Sequence, residues 1–311
     1  MNYEAIRQKE KQFLSLTSLT VSEFDKLLEH FTPLWNKYYK YNTLEGKKRK
    51  HPRTKEHGNA LLKGTEIKLF FLLIYLKTNS LQEHQAASFG VSQSKVSKIV
   101  KILFRVLNET LLKMELVPCR DGEQLATILK EHETKVFDYD GTERNIGRNT
   151  DNEAQEHEFS GKKHHHHIKN NLLCDENQYV HYLSPTELGS VHDITIAKEY
   201  PITLPSKSVL RLDLGFIGLE ISGTTIEIPF KKPRGGELTF SQKLYNKMLS
   251  SCRVVVEHAN SGVKRLKIVK EKIRVHSMQI RDLVMQIACS LHNFRVRSEE
   301  RAYSKSSRAL A

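Results

Sequence analysis

The apolar residues of this chain change period at Lys135, and the change requires two kinds of structure in one polypeptide. Ahead of it they recur at helical spacing. Phe24, Leu27, Leu28 and Phe31 form one stripe in the segment Leu16–Tyr39, whose start is marked by Thr20 and Glu23. A helix is expected over Thr65–Lys77. A second opens at a capping box of Ser80 and Glu83 and closes at Gly90, and a third runs from the N-cap Ser92 through Val106. Beyond Lys135 come short runs bounded by turn residues, Lys135–Asp140, His166–Leu173 and Gln178–Leu183, with Asp175–Asn177 turning between the last two. A crossover helix over Ser190–Tyr200 leads to strands at Ser208–Leu214 and Ile226–Phe230. From Phe240 onward the pattern is helical again, ending in a helix with Ile280, Leu283, Val284, Ile287 and Leu291 inward. The fold class is therefore α/β, a mixed sheet flanked by helices preceded by an all-α region. The expected divisions are an N-terminal helical region (1–45), a helix-turn-helix region with a basic arm (46–118), the strand-bearing domain (119–297) and a polar tail (298–311).

Charge narrows the partner. Lysine and arginine number 49 against 36 acids, giving +13. A surplus of this size attracts polyanions, nucleic acid before an anionic membrane surface. The most apolar run, Leu69–Leu76, is too short to span a bilayer, and no basic-then-apolar leader opens the chain, so a cytoplasmic protein without membrane association is expected. Cys119, Cys174, Cys252 and Cys289 are far apart, without a CxxC pair, which argues against a zinc ribbon and a disulfide framework.

The stretch Leu81–Leu103 has the parts of a helix-turn-helix: a short helix, a tight turn at Gly90-Val91-Ser92 and a second helix. Val96, Ile99, Val100 and Leu103 form the buried stripe of that second helix. On its outer side, Gln93 and Ser94 suit base edges, and Lys95, Lys98 and Lys101 suit phosphates. A three-helix bundle with a solvated lysine-rich face has the same pattern. Lys47–Lys50, and Lys231, Lys232 and Arg234 in a Pro/Gly-rich loop, are further phosphate contacts or solvated charge runs.

Three acids have settings suited to chemistry. Asp140 ends a strand before Gly141-Thr142-Glu143, Asp213 ends another, and Glu257 lies in a helix. Cutting a phosphodiester needs an activated water and a stabilised leaving oxygen, and two divalent cations held by shared carboxylates supply both. Magnesium accepts few protein carboxylates because it keeps several waters. Taken singly, each acid reads as a surface acid, and periodicity does not show that the three converge. Asp138 competes with Asp140, since both point to one face of a strand; Asp140 is preferred because Gly-Thr follows it. Arg253, Glu257 and Lys264, spaced by four and seven, are expected on one helix face, where the two cations would hold DNA phosphates beside the acid.

Three segments resemble the DDE transposases of the bacterial insertion-sequence-five group, whose eukaryotic relatives are the Harbinger transposases. The first is Asp140-Gly141-Thr142-Glu143-Arg144 with Phe159-Ser160-Gly161-Lys162-Lys163. The second is Leu183-Ser184-Pro185-Thr186 with Gly189-Ser190-Val191-His192-Asp193 and Asp213-Leu214-Gly215-Phe216-Ile217-Gly218. The third is Arg253-Val254-Val255-Val256-Glu257-His258 with Lys264-Arg265-Leu266-Lys267-Ile268. The resemblance implies an RNase-H-like fold, the triad Asp140, Asp213 and Glu257, and two magnesium ions, replaceable by manganese. It also implies double-stranded DNA as partner, as terminal inverted repeats and target, and a homo-oligomer on DNA. Lys162 and Lys163 join the expected DNA contacts. Ser250 stands where the related signature has a tyrosine.

The run His164–His167 is read as DNA-facing surface, because adjacent strand side chains point to opposite faces and cannot all bind one ion. His192 and Asp193 open the crossover helix, as caps or as residues shaping the site. The expected function is a transposase that cuts at its element's ends and joins them to target DNA. The rivals are a DNA-binding descendant without catalysis, an RNase-H-like nuclease without strand transfer, and a helix-turn-helix repressor.

Overall fold

The computed structural model describes residues 1–56, 60–132, 135–160 and 164–298. It forms two compact units: Met1–Val117 with the described residues from Lys264 on, and Pro118–Val263.

The first unit is helical. Helices α1 (Tyr3–Arg7), α2 (Glu10–Thr17), α3 (Val21–Tyr41), α4 (Thr65–Thr78), α5 (Gln82–Phe89) and α6 (Gln93–Lys113) come from its N-terminal part. A full capping box between Thr20 and Glu23 starts α3. Every residue of α4 from Lys68 to Leu76 is buried, so the apolar run is the core around which α2, α3 and α6 pack. Phe70 meets Phe13 and Tyr3 there, with ring centroids 5.7 and 5.2 Å away. Burying such a side chain is worth about 1.5–3 kcal/mol, enough to make this helix the organiser of the unit.

Gly90 adopts φ 65, the left-handed conformation that ends α5, and the Ser92 hydroxyl caps α6 through the Lys95 N–H. The capping box expected for α5 is not formed: Leu81 is the N-cap, without a side-chain bond, and the Ser80 hydroxyl donates to Gln85 Oε1 at 2.9 Å. Helix α6 continues past Val106 to Lys113 because Leu107, Thr110 and Leu111 extend its buried stripe.

The second unit holds α7 (Leu125–Ile128), β1 (Val136–Asn145), α8 (Asn152–Glu158), β2 (Phe159–Ser160), β3 (His165–Asp175), β4 (Val180–Leu183), β5 (Glu187–Leu188), α9 (Asp193–Glu199), β6 (Ser208–Arg211), β7 (Thr224–Glu227) and α10 (Phe240–Val263). The sheet runs β2-β3-β1-β6-β7, with β4 and β5 also paired to β3. Strand β1 is antiparallel to β3 and parallel to β6, which is parallel to β7. Read as β4-β3-β1-β6-β7, this is the mixed sheet expected of an RNase-H-like domain. One face is apolar, with Phe137, Tyr139, Leu173, Tyr182, Leu210 and Phe216 in one core. Alternation turns Asp138 and Asp140 to the other face.

Strand β1 runs five residues past Asp140, where Gly141 to Asn145 stay paired with β3 and Arg144 donates to Thr186 Oγ1 at 2.9 Å. Strand β6 stops at Arg211, short of Leu214, because Asp213 caps a 3-10 turn over Leu214–Phe216.

The chain then returns to the helical unit with α11 (Lys267–Lys270) and α12 (Met278–Val296). The last helix, expected with the strand-bearing domain, packs on α6, and Asn293 Nδ2 donates to the Leu116 carbonyl at 3.0 Å. Among the described residues no helix is long and apolar enough to cross a membrane.

Candidate active site

The polar face of the sheet gathers acids around Asp140. Asp138 and Arg211 are paired in register on β1 and β6, so Asp140 lies two residues further along β1 and Asp213 two residues past the end of β6. Helix α10 lies on the same strand. Arg253 Nη2 donates to Asp140 Oδ1 and Asn260 Nδ2 to Asp140 Oδ2, each at 3.1 Å. Residues seven apart share a helix face, and Glu257 lies one turn from each on its solvent-exposed edge.

A further acid approaches Asp140. Asp193, first residue of α9, packs so tightly over Gly141 that a Cβ there would come within 2.8 Å of its carboxyl carbon. Its backbone carbonyl accepts from Asn171 Nδ2 at 2.8 Å, and its Oδ1 pairs with Lys169 Nζ at 3.5 Å. His192 is the N-cap of α9 by backbone only, without a side-chain bond. Burial pushes the Asp140 carboxyl up to about 6; Arg253 opposes this, and the charges of Asp213 and Asp193 add to it.

Asp138, the sequence rival of Asp140, is occupied elsewhere. It is 0% exposed and receives Arg211 Nε at 3.0 Å and Nη2 at 2.7 Å. This bidentate pair closes Asp138 off from solvent, whereas the Asp140 side chain stays 22% exposed.

Asp140 feels the charges of Asp213 and Asp193, and Asn260 Oδ1 beside it is buried without a hydrogen-bond partner, whereas Glu257 is exposed one turn along α10. Among the described residues no three of these acids bring carboxylate oxygens within 4.8 Å of one another. Crowded like charges raise the cost of ionising Asp140, and a cation would relieve it.

In the helical unit, α5 and α6 pack as the two limbs of a helix-turn-helix. Ser94, Lys98 and Lys101 are exposed, and Gln93 and Lys95 partly so. Gln93 Nε2 donates to Gln82 Oε1 at 2.8 Å, and Lys98 pairs with Glu45 at 3.0 Å in the open.

Comparison with known proteins gives the family. Residues 139–293 match the model of a DDE superfamily endonuclease, and residues 62–113 match the helix-turn-helix of DDE superfamily endonuclease.

The chain belongs to the DDE superfamily of endonucleases.

The second match covers α4, α5 and α6, so the DNA-binding motif of the superfamily is the α5–α6 pair. A relative from Microchaete diplosiphon, named "Probable transposase for insertion sequence element IS702", is 25% identical over 209 residues, covering 67% of this chain and 73% of the relative. No solved structure matches the chain. DDE superfamily endonucleases use divalent metals.

Several sequence-derived placements change. Helix α10 ends at Val263, after Ser261-Gly262, which lowers helix propensity, so Lys264 lies in the following turn and off the face shared by Arg253 and Glu257. Asn260 holds the seventh position instead. Lys231 and Lys232 are exposed in their loop, with Lys232 paired to Glu237. Lys162 and Lys163 lie outside the described residues. His167 is fully buried, because β3 turns it inward, and is not a DNA-facing surface. Sequence reasoning missed Asn260, whose signal was its spacing of seven from Arg253. It left Asp193 open between cap and site, and the following Gly141 was the clue to its close approach.

Proposed function

We propose that this protein is the transposase of an insertion sequence of the insertion-sequence-five group. On this reading the α5–α6 motif binds the element's terminal inverted repeats through Gln93, Ser94, Lys95, Lys98 and Lys101, and Asp140, Asp213 and Glu257 are the catalytic acids. The observation that supports it best is the pair of hydrogen bonds from Arg253 and Asn260 to Asp140, which holds the Glu257-bearing face of α10 against the strand carrying the first acid.

Asp140, Asp213 and Glu257 would hold two Mg2+, for which Mn2+ can substitute; bound there, the ions supply an activated water and stabilise the leaving oxygen. Arg253 orients Asp140 and presents a cation to the scissile phosphate. Asn260 fixes the second oxygen of Asp140, so the carboxylate does not rotate when a proton leaves it. Lys162, Lys163, Lys231, Lys232 and Lys264 contribute phosphate contacts along the DNA. The same acids serve hydrolysis and the attack of the freed 3′-hydroxyl on target DNA, since both are in-line displacements. The working form is a homo-oligomer on DNA at the bacterial nucleoid.

The test is a supercoiled plasmid carrying the DNA that flanks the gene, incubated with Mg2+ and either the natural protein or the Asp140→Asn and Glu257→Gln variants. Cutting and joining at the element ends by the natural protein alone is expected. Binding without cutting would leave a DNA-binding descendant, cutting without joining a nuclease, and equal cutting by the variants would reassign the acids.

A further inference from the structure

A second cluster of ligand-type side chains lies on the sheet unit, away from the acids above. Asp175 closes β3 opposite Phe137 in the β1–β3 ladder, three residues before Asp140 on β1. Its carboxylate is buried. Oδ1 accepts the backbone N–H groups of Asn177 at 2.9 Å and Tyr179 at 3.0 Å and is committed to the β3–β4 turn. Oδ2 is left to two imidazoles: Nε2 of His181 lies 2.9 Å away and Nε2 of His132 3.5 Å away. The two rings stand perpendicular with centroids 4.7 Å apart, and the three ligand atoms all lie within 4.8 Å of one another.

This is the spacing of a coordination shell. Bonds of about 2.0–2.1 Å at tetrahedral angles put neighbouring ligand atoms roughly 3.3 Å apart. The turn hydrogen bonds to Oδ1 fix the carboxylate and so orient the ligating Oδ2, the service that outer partners give metal ligands. Imidazole nitrogens favour zinc and its neighbours over magnesium. The other such group, Glu143, His165 and His167, has a partly exposed carboxylate 3.6 Å from His167 Nε2, against 2.9 Å between Asp175 and His181.

We propose that His132, Asp175 and His181 bind one zinc-class divalent ion, which ties the segment ahead of β1 to the β3–β4 hairpin and braces the strand that carries Asp140. Three protein ligands leave a position for water, and His132, a quarter exposed, gives solvent access to the site. The site is separate from the catalytic acids in ligand type, so it stands or falls independently of them.

The experiment is calorimetric titration of metal-free, full-length protein with Zn2+ in excess Mg2+, repeated with Co2+ to read the visible bands of a four-coordinate ion. Expected are a stoichiometric site in the natural protein and in Asp140→Asn, and an affinity lowered by at least about 100-fold in His132→Gln and in His181→Gln, beyond the usual cost of an outer-shell change. Circular dichroism of the two histidine variants checks that they fold; Asp175→Asn is avoided because Oδ1 holds the turn. Absence of stoichiometric binding by the natural protein overturns the proposal. So does binding that survives both variants and falls instead in His165→Gln.

Discussion

Asn260 donates to Oδ2 of Asp140 at 3.1 Å, across 120 residues of sequence. Its own Oδ1 is buried without a partner, so the amide is oriented by the carboxylate it serves. A hydrogen bond to a charged group is worth about 1.5–3 kcal/mol, or roughly 10–100-fold in rate if it is needed in the transition state. Asn260→Ala is therefore expected to slow strand cleavage by that factor while leaving DNA affinity unchanged. Single-turnover cleavage beside a binding isotherm checks it, and unchanged cleavage would remove Asn260 from the site.

Asp138 and Asp140 should separate by stability. Asp138→Asn leaves the Arg211 guanidinium buried without its bidentate partner. Breaking a buried pair from one side costs about 3–5 kcal/mol. Asp140→Asn instead removes a charge crowded by Asp213 and Asp193. Denaturant melts should show a large loss for the first variant and little or none for the second. The reverse order would mean that Asp138 is the functional acid.

That pair also shows where sequence reading stops. Strand alternation places both aspartates on one face and leaves the choice to the following Gly-Thr. The physical discriminator is Arg211, on a neighbouring strand 73 residues away. Local signals were legible because they act within a turn of helix: Thr20 with Glu23, Gly90 and Ser92 each stand where their chemistry requires. The end of α10 was not, because spacing alone carried the face on to Lys264 while Ser261-Gly262 ends the helix at Val263. The helix-turn-helix and the acids on β1 and after β6 were readable. Asn260, the approach of Asp193 to Gly141 and the packing of α12 on α6 are long-range contacts that no local pattern encodes.

The Asp140 carboxyl, raised to about 6, gives a pH signature. Its unfolded value is about 3.9, so between the two the native state holds the proton more tightly and stability falls as pH rises. The penalty is absent below pH 4 and complete above pH 6. Melting temperatures of the natural protein should drop relative to Asp140→Asn across that window, and Mg2+ should restore them at pH 7 in the natural protein alone. Parallel curves for the two proteins would show that Asp140 is not crowded. Cleavage in Mg2+ should fall only at a pH below 6, and at lower pH the more Mg2+ is present, because the ion competes with the proton for the carboxylate.

Gly141 is required by space, since a Cβ would lie 2.8–3.0 Å from the atoms of the Asp193 carboxylate. Gly141→Ala must displace Asp193, strand β1 or both. A displacement of about 1 Å at a catalytic group costs on the order of 100-fold in rate. Cleavage by Gly141→Ala is expected to fall by that order, with the repeat-binding affinity of the helical unit retained. A double variant with Asp193→Ala, which clears the space, distinguishes steric from electrostatic loss: recovery means that Asp193 only fills room, and a further fall means that its carboxylate takes part.

Lys98 and Lys101 lie on the exposed side of α6. The surface pair of Lys98 with Glu45 is of the kind worth at most about 1 kcal/mol, so the lysine can exchange that partner for a phosphate. Each phosphate contact releases counterions and contributes about 0.9 to the slope of log affinity against log salt. Lys98→Ala and Lys101→Ala should each flatten that slope by about 1 and weaken specific and non-specific DNA alike. Gln93→Ala should leave the slope unchanged and lose about 1–3 kcal/mol on the terminal repeats alone, if its amide leaves Gln82 to read a base. Equal loss on all DNA would make Gln93 a brace between α5 and α6. No change in slope for either lysine would move the phosphate path off this helix.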